Sequence, residues 1–473
     1  MRSFDLAVIG GGSAGLTAAS IGGRVGARVL LVDRETLGGD CTHHGCVPSK
    51  ALIRCAKVAH TARQAERFGT HVGDVRVDGA AALRYVRATV EKVKSGETPE
   101  VLRARGVEVA FGGATFLSPT RLKVGEEEVE AGRSILAVGS RALAPPIPGL
   151  REAGFIDHVG LFQLEDLVRR WVVIGGGPIG VEMGQALARL GATVTIVQGA
   201  DRILERDDGE LTTLRAGYLR EELELILGAK VVEVARAGSG KAVTIEHEGS
   251  RRVLECDEVL VAVGRKTNLE GLGLEAAGVK THARGIEVDK TLRTSAENIW
   301  ACGDCTGGQQ FTHFAEAQAR VATRNALFLG STAFREQWVP WTTFSDPELA
   351  HVGLVEADAR RERRDDMRVY RFSYSELDRA VCEGETRGLA KVVCDPRGKI
   401  LGASFLGPHA GEAISEIVIA MKAGLTLSKL AGAIHVYPTM NRIVRRLGDQ
   451  RFLEEGVGRL TKKVFGRFKS HDA

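Results

Sequence analysis

The apolar residues near the start of the chain form a short continuous run, Leu6-Ala7-Val8-Ile9, the pattern expected of a buried strand. The run passes into Gly10-Gly11-Gly12-Ser13-Ala14-Gly15, then a helix-like stretch to about Arg24, then a second strand, Val29 to Val32, ending at Asp33. The same pattern recurs later. Trp171-Val172-Val173-Ile174 leads into Gly175-Gly176-Gly177-Pro178-Ile179-Gly180, a helix-like Val181 to Leu190, and a strand from Thr193 to Val197 ending at Gln198. From the last glycine to the strand-end residue is 18 positions in both copies.

Each glycine in such a turn has a mechanical reason. The first (Gly10, Gly175) permits a tight turn, the second (Gly12, Gly177) lets backbone approach a pyrophosphate, and the third (Gly15, Gly180) lets helix pack on strand. One copy is a weak signal. Two copies in strand–turn–helix–strand context predict an α/β protein with two Rossmann-like dinucleotide-binding domains. Asp33 stands where a carboxylate binds ribose hydroxyls, which suits the adenosine of FAD or NAD. Gln198, uncharged, holds that place in the second copy with Arg202 close by, so NADH and NADPH both remain open.

Composition narrows the picture. At 473 residues the chain should hold two to four domains. A net charge of +4 is too small to imply nucleic acid, and no aromatic-and-basic stripe supports one. No apolar run approaches the roughly 20 residues needed to cross a bilayer. The N-terminus lacks the pattern of a secretory signal, so a cytoplasmic location is expected. Eight cysteines in this length do not read as a disulfide framework.

Two of them fall in Gly38-Gly39-Asp40-Cys41-Thr42-His43-His44-Gly45-Cys46-Val47-Pro48-Ser49-Lys50. Five apart on a regular helix, two side chains point about 140° apart and rise about 7.5 Å, too far for a disulfide. Pro48, best tolerated in a first turn, predicts an irregular segment carrying Cys41 and Cys46 into a helix that runs toward Arg67. A thiol near that helix N-terminus, with Lys50 nearby, should have a lowered pKa. Two buried thiols, or a metal site drawing on His43 and His44, are the alternatives.

This segment resembles the redox motif of the class I pyridine nucleotide–disulfide oxidoreductases, the family of dihydrolipoyl dehydrogenase, glutathione reductase and mercuric reductase. Ile135 to Ser140, Leu260 to Arg265, Asn298 to Asp304, Phe344 to Glu348 and Asp378 to Ala380 resemble further family stretches in the same order. The resemblance implies bound FAD and NADH or NADPH, with Cys41 as the interchange thiol and Cys46 against the flavin. Lys50 and Glu182 resemble the pair beside flavin N5; Gly139, Asp304 and Ala315 would serve FAD, and Gly264 the nicotinamide domain. It also implies an FAD-binding domain in two parts, residues 1–150 and 266–335, with an NAD(P)-binding domain at 151–265 inserted between them. A C-terminal α+β dimerisation domain, 336–473, would make a homodimer. Cys302 and Cys305, formally a CxxC, fall where the family has small apolar residues and read as buried structural thiols; Cys55, Cys256, Cys382 and Cys394 read the same way.

One departure bears on substrate. Disulfide reductases carry a His-Pro dipeptide with Glu five positions after the His, and here Tyr437 and Arg442 occupy those positions. A phenol is a poor base at neutral pH, and an arginine cannot hold an imidazolium by charge. Thiolate-bound metal ions need no delivered proton, and mercuric reductases similarly carry tyrosine here. A metal ion such as Hg(II) is therefore the expected substrate, with dihydrolipoyl dehydrogenase or another disulfide reductase as the alternative. A flavin-bearing redox sensor or thiol metal-binding protein is the reading from another class. His435, two residues before Tyr437, faces the same side of an extended segment and is a candidate replacement base. The basic tail from Arg442 to Lys469, with Leu447, Phe452, Leu460, Val464 and Phe465, reads as a dimer-face helix rather than a membrane-surface one.

Overall fold

A computed structural model describes residues 1–336, 338–363 and 366–465, and the side chains of these except 363 and 457–465. Strand Arg2–Ile9 pairs in parallel with Val29–Asp33 on one side and Glu127–Leu136 on the other. Val107–Phe111 extends the sheet beyond the former, and Ile299–Ala301, from much later in the chain, joins beside the latter. Leu6, Ala7, Val8, Leu30 and Leu31 are fully buried. Helices Ser13–Arg24 and Thr312–Leu327 cover one face through Ala14, Ala18, Ala315 and Ala319, which explains a continuous rather than alternating apolar run.

The second copy forms a parallel sheet of Glu224–Ile226, Thr193–Val197, Arg170–Ile174 and Glu258–Val261. The two copies pair in matching register: Ile9 opposite Val32, and Ile174 opposite Val197. The second helix spans Pro178–Arg189, beginning before the Val181 start that the pattern predicts. Pro178 sits in the first turn, where its missing N–H costs nothing and its fixed φ suits a helix start. Short strands Ser140–Ala142 and Arg265–Thr267 pair antiparallel, so the chain leaves and returns along one ribbon.

C-terminal to these, five antiparallel strands run in the order Trp341–Thr343, Glu348–Gly353, Ile400–Gly407, Leu389–Cys394 and Arg368–Ser373. Helices Ala410–Lys422 and Arg442–Phe465 help close their core through Ile414, Ile417, Ile443, Val444 and Leu447. Of the tail residues, Leu447 is buried and Phe452 exposed. The side chains of Leu460, Val464 and Phe465, and residues 466–469, lie outside the described residues. Among the described residues no helix is long and apolar enough to cross a membrane.

Candidate active site

The two glycine turns are near-copies in detail. Gly10 and Gly175 have φ of +108° and +113°, and a Cβ on either would strike the carbonyl oxygen of Ala137 or Ala262. A Cβ on Gly15 or Gly180 would sit 1.7 or 1.9 Å from the carbonyl oxygen of Gly10 or Gly175, so only glycine lets helix meet strand there. Gly12 and Gly177 instead face open space or a distant neighbour, and no side chain caps the helix that either begins. That leaves free N–H groups at each helix start, a cradle suited to a pyrophosphate. At the strand ends, Gly11 N donates to Asp33 Oδ2 at 2.6 Å and Gly176 N to Gln198 Oε1 at 2.7 Å. Gln198 turns its amide nitrogen to Glu205 Oε1, 3.0 Å away.

The first turn opens into a cavity of about 850 Å³, lined also by Asp33, Gly139, Asp304, Ala315, Cys41, Cys46, Lys50 and Glu182. Its size, its glycine cradle and the Asp33 carboxylate fit FAD. Ser140 Oγ donates to Asp304 Oδ2, and burial raises the Asp304 carboxyl above its ordinary value. Gly139 and Gly264 both have positive φ, +65° and +133°, with open space where a Cβ would stand. Gly264 directly precedes the returning strand of the ribbon.

Cys41 and Cys46 both reach the cavity as free thiols. The expected irregular entry is more ordered than the sequence implied: Cys41 lies in a one-turn helix, Gly39–His43, and Cys46 is the first residue of helix Cys46–Arg63. Gly45, between the two helices, has a non-helical backbone (φ −105°, ψ −104°) that breaks the geometry separating the sulfurs, and Pro48 falls in the first turn as expected. The Cys41 hydrogen bond, working against burial and aided by Thr312 and the Lys50 charge, brings the Cys46 thiol down to about 6. Cys41 moves the other way, because of its hydrogen bond to Cys46 and its partial burial. Cys46, at a helix N-terminus, is thus the more acidic of the two thiols.

Lys50 Nζ lies 2.8 Å from Glu182 Oε2 and 4.4 Å from the centre of the Phe344 ring. Glu182, only 5% exposed, also accepts from Phe344 N at 2.8 Å. This one carboxylate therefore joins helix Cys46–Arg63, the second glycine helix and the C-terminal unit.

Several participants were not singled out in the sequence. Thr312 Oγ1, on the helix covering the first sheet, lies 3.1 Å from Cys41 Sγ and 3.5 Å from Cys46 Sγ. Asp40 meets His158 Nε2 at 3.0 Å and Arg265 Nη2 at 2.8 Å; although burial opposes ionisation, these partners hold its carboxyl down to about 2. Glu416 is the third, found beside His435. Asp40, directly before Cys41, was on view in the sequence, but its partners lie far along the chain.

The histidines between the cysteines divide. His43 Nε2 bonds the Leu37 carbonyl oxygen at 2.6 Å, whereas His44 lines the cavity and is kept neutral more readily by burial. Cys302 and Cys305 are fully buried, and burial raises both thiols. Cys256 and Cys394 are buried too, but Cys55 is only partly buried and Cys382 is exposed, which corrects the expectation for those two. Cys382 lies near the end of the short helix Asp378–Glu383, on its outer side, while Ala380 alone of that helix is buried.

Tyr437 is exposed, with the Arg442 guanidinium 4.7 Å above its ring centre. His435 does not line the cavity of its own chain. Its Nε2 is bonded to Glu416 and its Nδ1 to the Ala433 carbonyl oxygen.

Comparison with known proteins agrees with this geometry. Residues 4–319 match the family model described as pyridine nucleotide-disulphide oxidoreductase, and residues 339–447 match that family's dimerisation domain. The chain is 36% identical to a dihydrolipoyl dehydrogenase of Thermus scotoductus, over 93% of this chain and 96% of that one. It is 33% identical to a mercuric reductase of Bacillus cereus, over 92% of this chain and 70% of that one. A solved structure, the Cu(II) complex of the HOCl-induced flavoprotein disulfide reductase RclA from Escherichia coli, superposes with a TM-score of 0.85 at 30% identity, covering 95% of this chain and all of that one. Members of this family bind FAD and use NAD(P)H. With two dinucleotide cradles, a paired-thiol cavity and a matching C-terminal unit, the chain belongs to the pyridine nucleotide-disulphide oxidoreductases, the flavoprotein enzymes of this architecture.

Proposed function

We propose that this flavoprotein oxidises NADH or NADPH and delivers the electrons through Cys41 and Cys46 to a soft, thiol-reactive metal ion such as Hg(II). FAD, when bound, supplies the two-electron link between nicotinamide and sulfur. Cys46, the more acidic thiol, holds negative charge at the cavity wall, and Cys41 presents its sulfur to the acceptor. Lys50, fixed by Glu182, keeps a positive charge beside that thiolate. The observation that carries the choice of acceptor is the Tyr437–Arg442 pair. It offers no imidazole to protonate a leaving thiolate, and a metal ion held by two sulfurs needs none. The mercuric reductase relative and the copper complex of the structural relative support the same class of acceptor.

A disulfide substrate is the second reading, favoured by the match over nearly the full length of a dihydrolipoyl dehydrogenase. We read the assembly as a homodimer. Ile434, Val436 and Tyr437 are exposed on one loop of the unit that matches the dimerisation domain, placed to reach a second copy.

Steady-state assays with Hg(II), Cu(II), lipoamide and glutathione disulfide, each with NADH and NADPH, test the proposal. Metal-dependent oxidation should exceed turnover with either disulfide, and Cys41→Ser should abolish it while sparing reduction of dyes. Fast lipoamide turnover would overturn the metal reading. Loss of both activities together would overturn the role of Cys41, and binding without turnover would favour a sensor.

A further inference from the structure

The missing His–Glu pair leaves a chemical problem. Cys41 must become a nucleophile, yet it is Cys46 that sits at the N-terminus of helix Cys46–Arg63 and is the more acidic thiol of the pair. His435 is not free for the task within its own chain, since both of its ring nitrogens face acceptors. One hydroxyl does reach both sulfurs. Thr312 Oγ1 lies 3.1 Å from Cys41 Sγ and 3.5 Å from Cys46 Sγ. Thr312 is the first residue of the helix Thr312–Leu327, whose preceding residue, Phe311, provides no side-chain cap, so the positive end of the helix also faces this region.

A threonine hydroxyl has one proton to give, so it stabilises one thiolate at a time. Its χ1 is stiff, because β-branching restricts it, and rotation about the C–O bond alone redirects the proton. We propose that Thr312 is a catalytic residue that lets a single negative charge pass from Cys46 to Cys41, activating the interchange sulfur without an external base. The step balances within three residues. The S–H bond of Cys41 breaks and its proton forms an S–H bond on Cys46; the Thr312 O–H turns from the Cys46 sulfur to the Cys41 sulfur. Net charge stays at minus one and no electron moves. The shorter contact to Cys41 fits a hydroxyl set to favour the reactive tautomer. This inference rests on the reading of Cys41 and Cys46 as the redox pair.

The test follows each sulfur separately. Reduced holoprotein is alkylated with iodoacetamide across pH 5 to 9, and the rates at Cys41 and Cys46 are read by peptide mass spectrometry for wild type, Thr312→Val and Thr312→Ser. Loss of a hydrogen bond to a charged group should slow Cys41 alkylation at pH 7 by about tenfold in the valine variant and raise the pH midpoint at Cys46. Serine keeps the hydroxyl and should restore both. Wild-type rates and midpoints in Thr312→Val, or failure of serine to rescue, would overturn the proposal. Peptide mapping of the oxidised wild type isolates the underlying reading: absence of a Cys41–Cys46 disulfide removes the redox pair itself, whatever the alkylation rates show.

Discussion

His435 Nε2 lies 2.9 Å from Glu416 Oε1, while Asn441 holds the other oxygen of the same carboxylate. This imidazole–carboxylate pair resembles a catalytic dyad in composition but is used as a clasp, tying the loop bearing Tyr437 to helix Ala410–Lys422. Glu416→Ala should therefore lower Tm by about 2–4 °C, as expected for roughly 1 kcal/mol in a unit of this size. The pH profile of metal-dependent turnover should stay unchanged, measured from pH 5 to 9. A shifted profile would show that His435 exchanges protons with substrate.

Glu182 serves two donors from opposite sides, Lys50 Nζ and Phe344 N. Glu182→Gln keeps an oxygen for the amide and loses the charge, so it should fold and slow flavin reduction by NAD(P)H, on the order of 100-fold in stopped-flow. Glu182→Ala should in addition lose stability, since removing one member of a buried pair leaves the other uncompensated. Equal behaviour of the two variants would contradict the division of labour between the oxygens.

Asp207 is buried and accepts from Trp341 Nε1 at 2.9 Å, and burial pushes its carboxyl up from 3.8 to about 7. Between those values the unfolded chain has released this proton and the folded chain retains it. The stabilisation is therefore full below about pH 4 and lost as the pH rises to about 7. Asp207→Asn, neutral throughout, should match wild type near pH 4 and melt several degrees higher at pH 8. A gap independent of pH in paired thermal scans would refute this.

Glu205 places a carboxylate on Gln198, seven residues before it, where the first copy carries its charge on the strand-end residue Asp33. That charge repels a 2′-phosphate, so NADH should be the better substrate. Glu205→Arg should raise the NADPH-to-NADH ratio of kcat/KM by about tenfold or more. A wild-type enzyme that prefers NADPH would show that Arg202 governs the site instead.

The parts legible in the sequence were those written locally. Gly10 to Asp33 and Gly175 to Gln198 each encode turn, helix and strand within one short stretch, so spacing alone revealed both cradles. Cys41, Cys46 and Lys50 were legible for the same reason. Thr312 was not, because 266 positions separate it from Cys46 and nothing in Phe311-Thr312-His313 announces a partner. Glu416 was hidden similarly: its regular place in an amphipathic helix looks like any solvated acid until the loop of His435 folds over it. The exposed Cys382 was misjudged because a lone cysteine carries no local signal of which face it takes.

The ribbon of Ser140–Ala142 against Arg265–Thr267 brings the exit and re-entry of the chain side by side. Everything threaded between them is a cassette with adjoining ends. It is not independent of the thiol cavity, however: Glu182 and His158 lie within it and hold Lys50 and Asp40 from across the ribbon, so any exchanged cassette would have to keep that carboxylate and that imidazole in place.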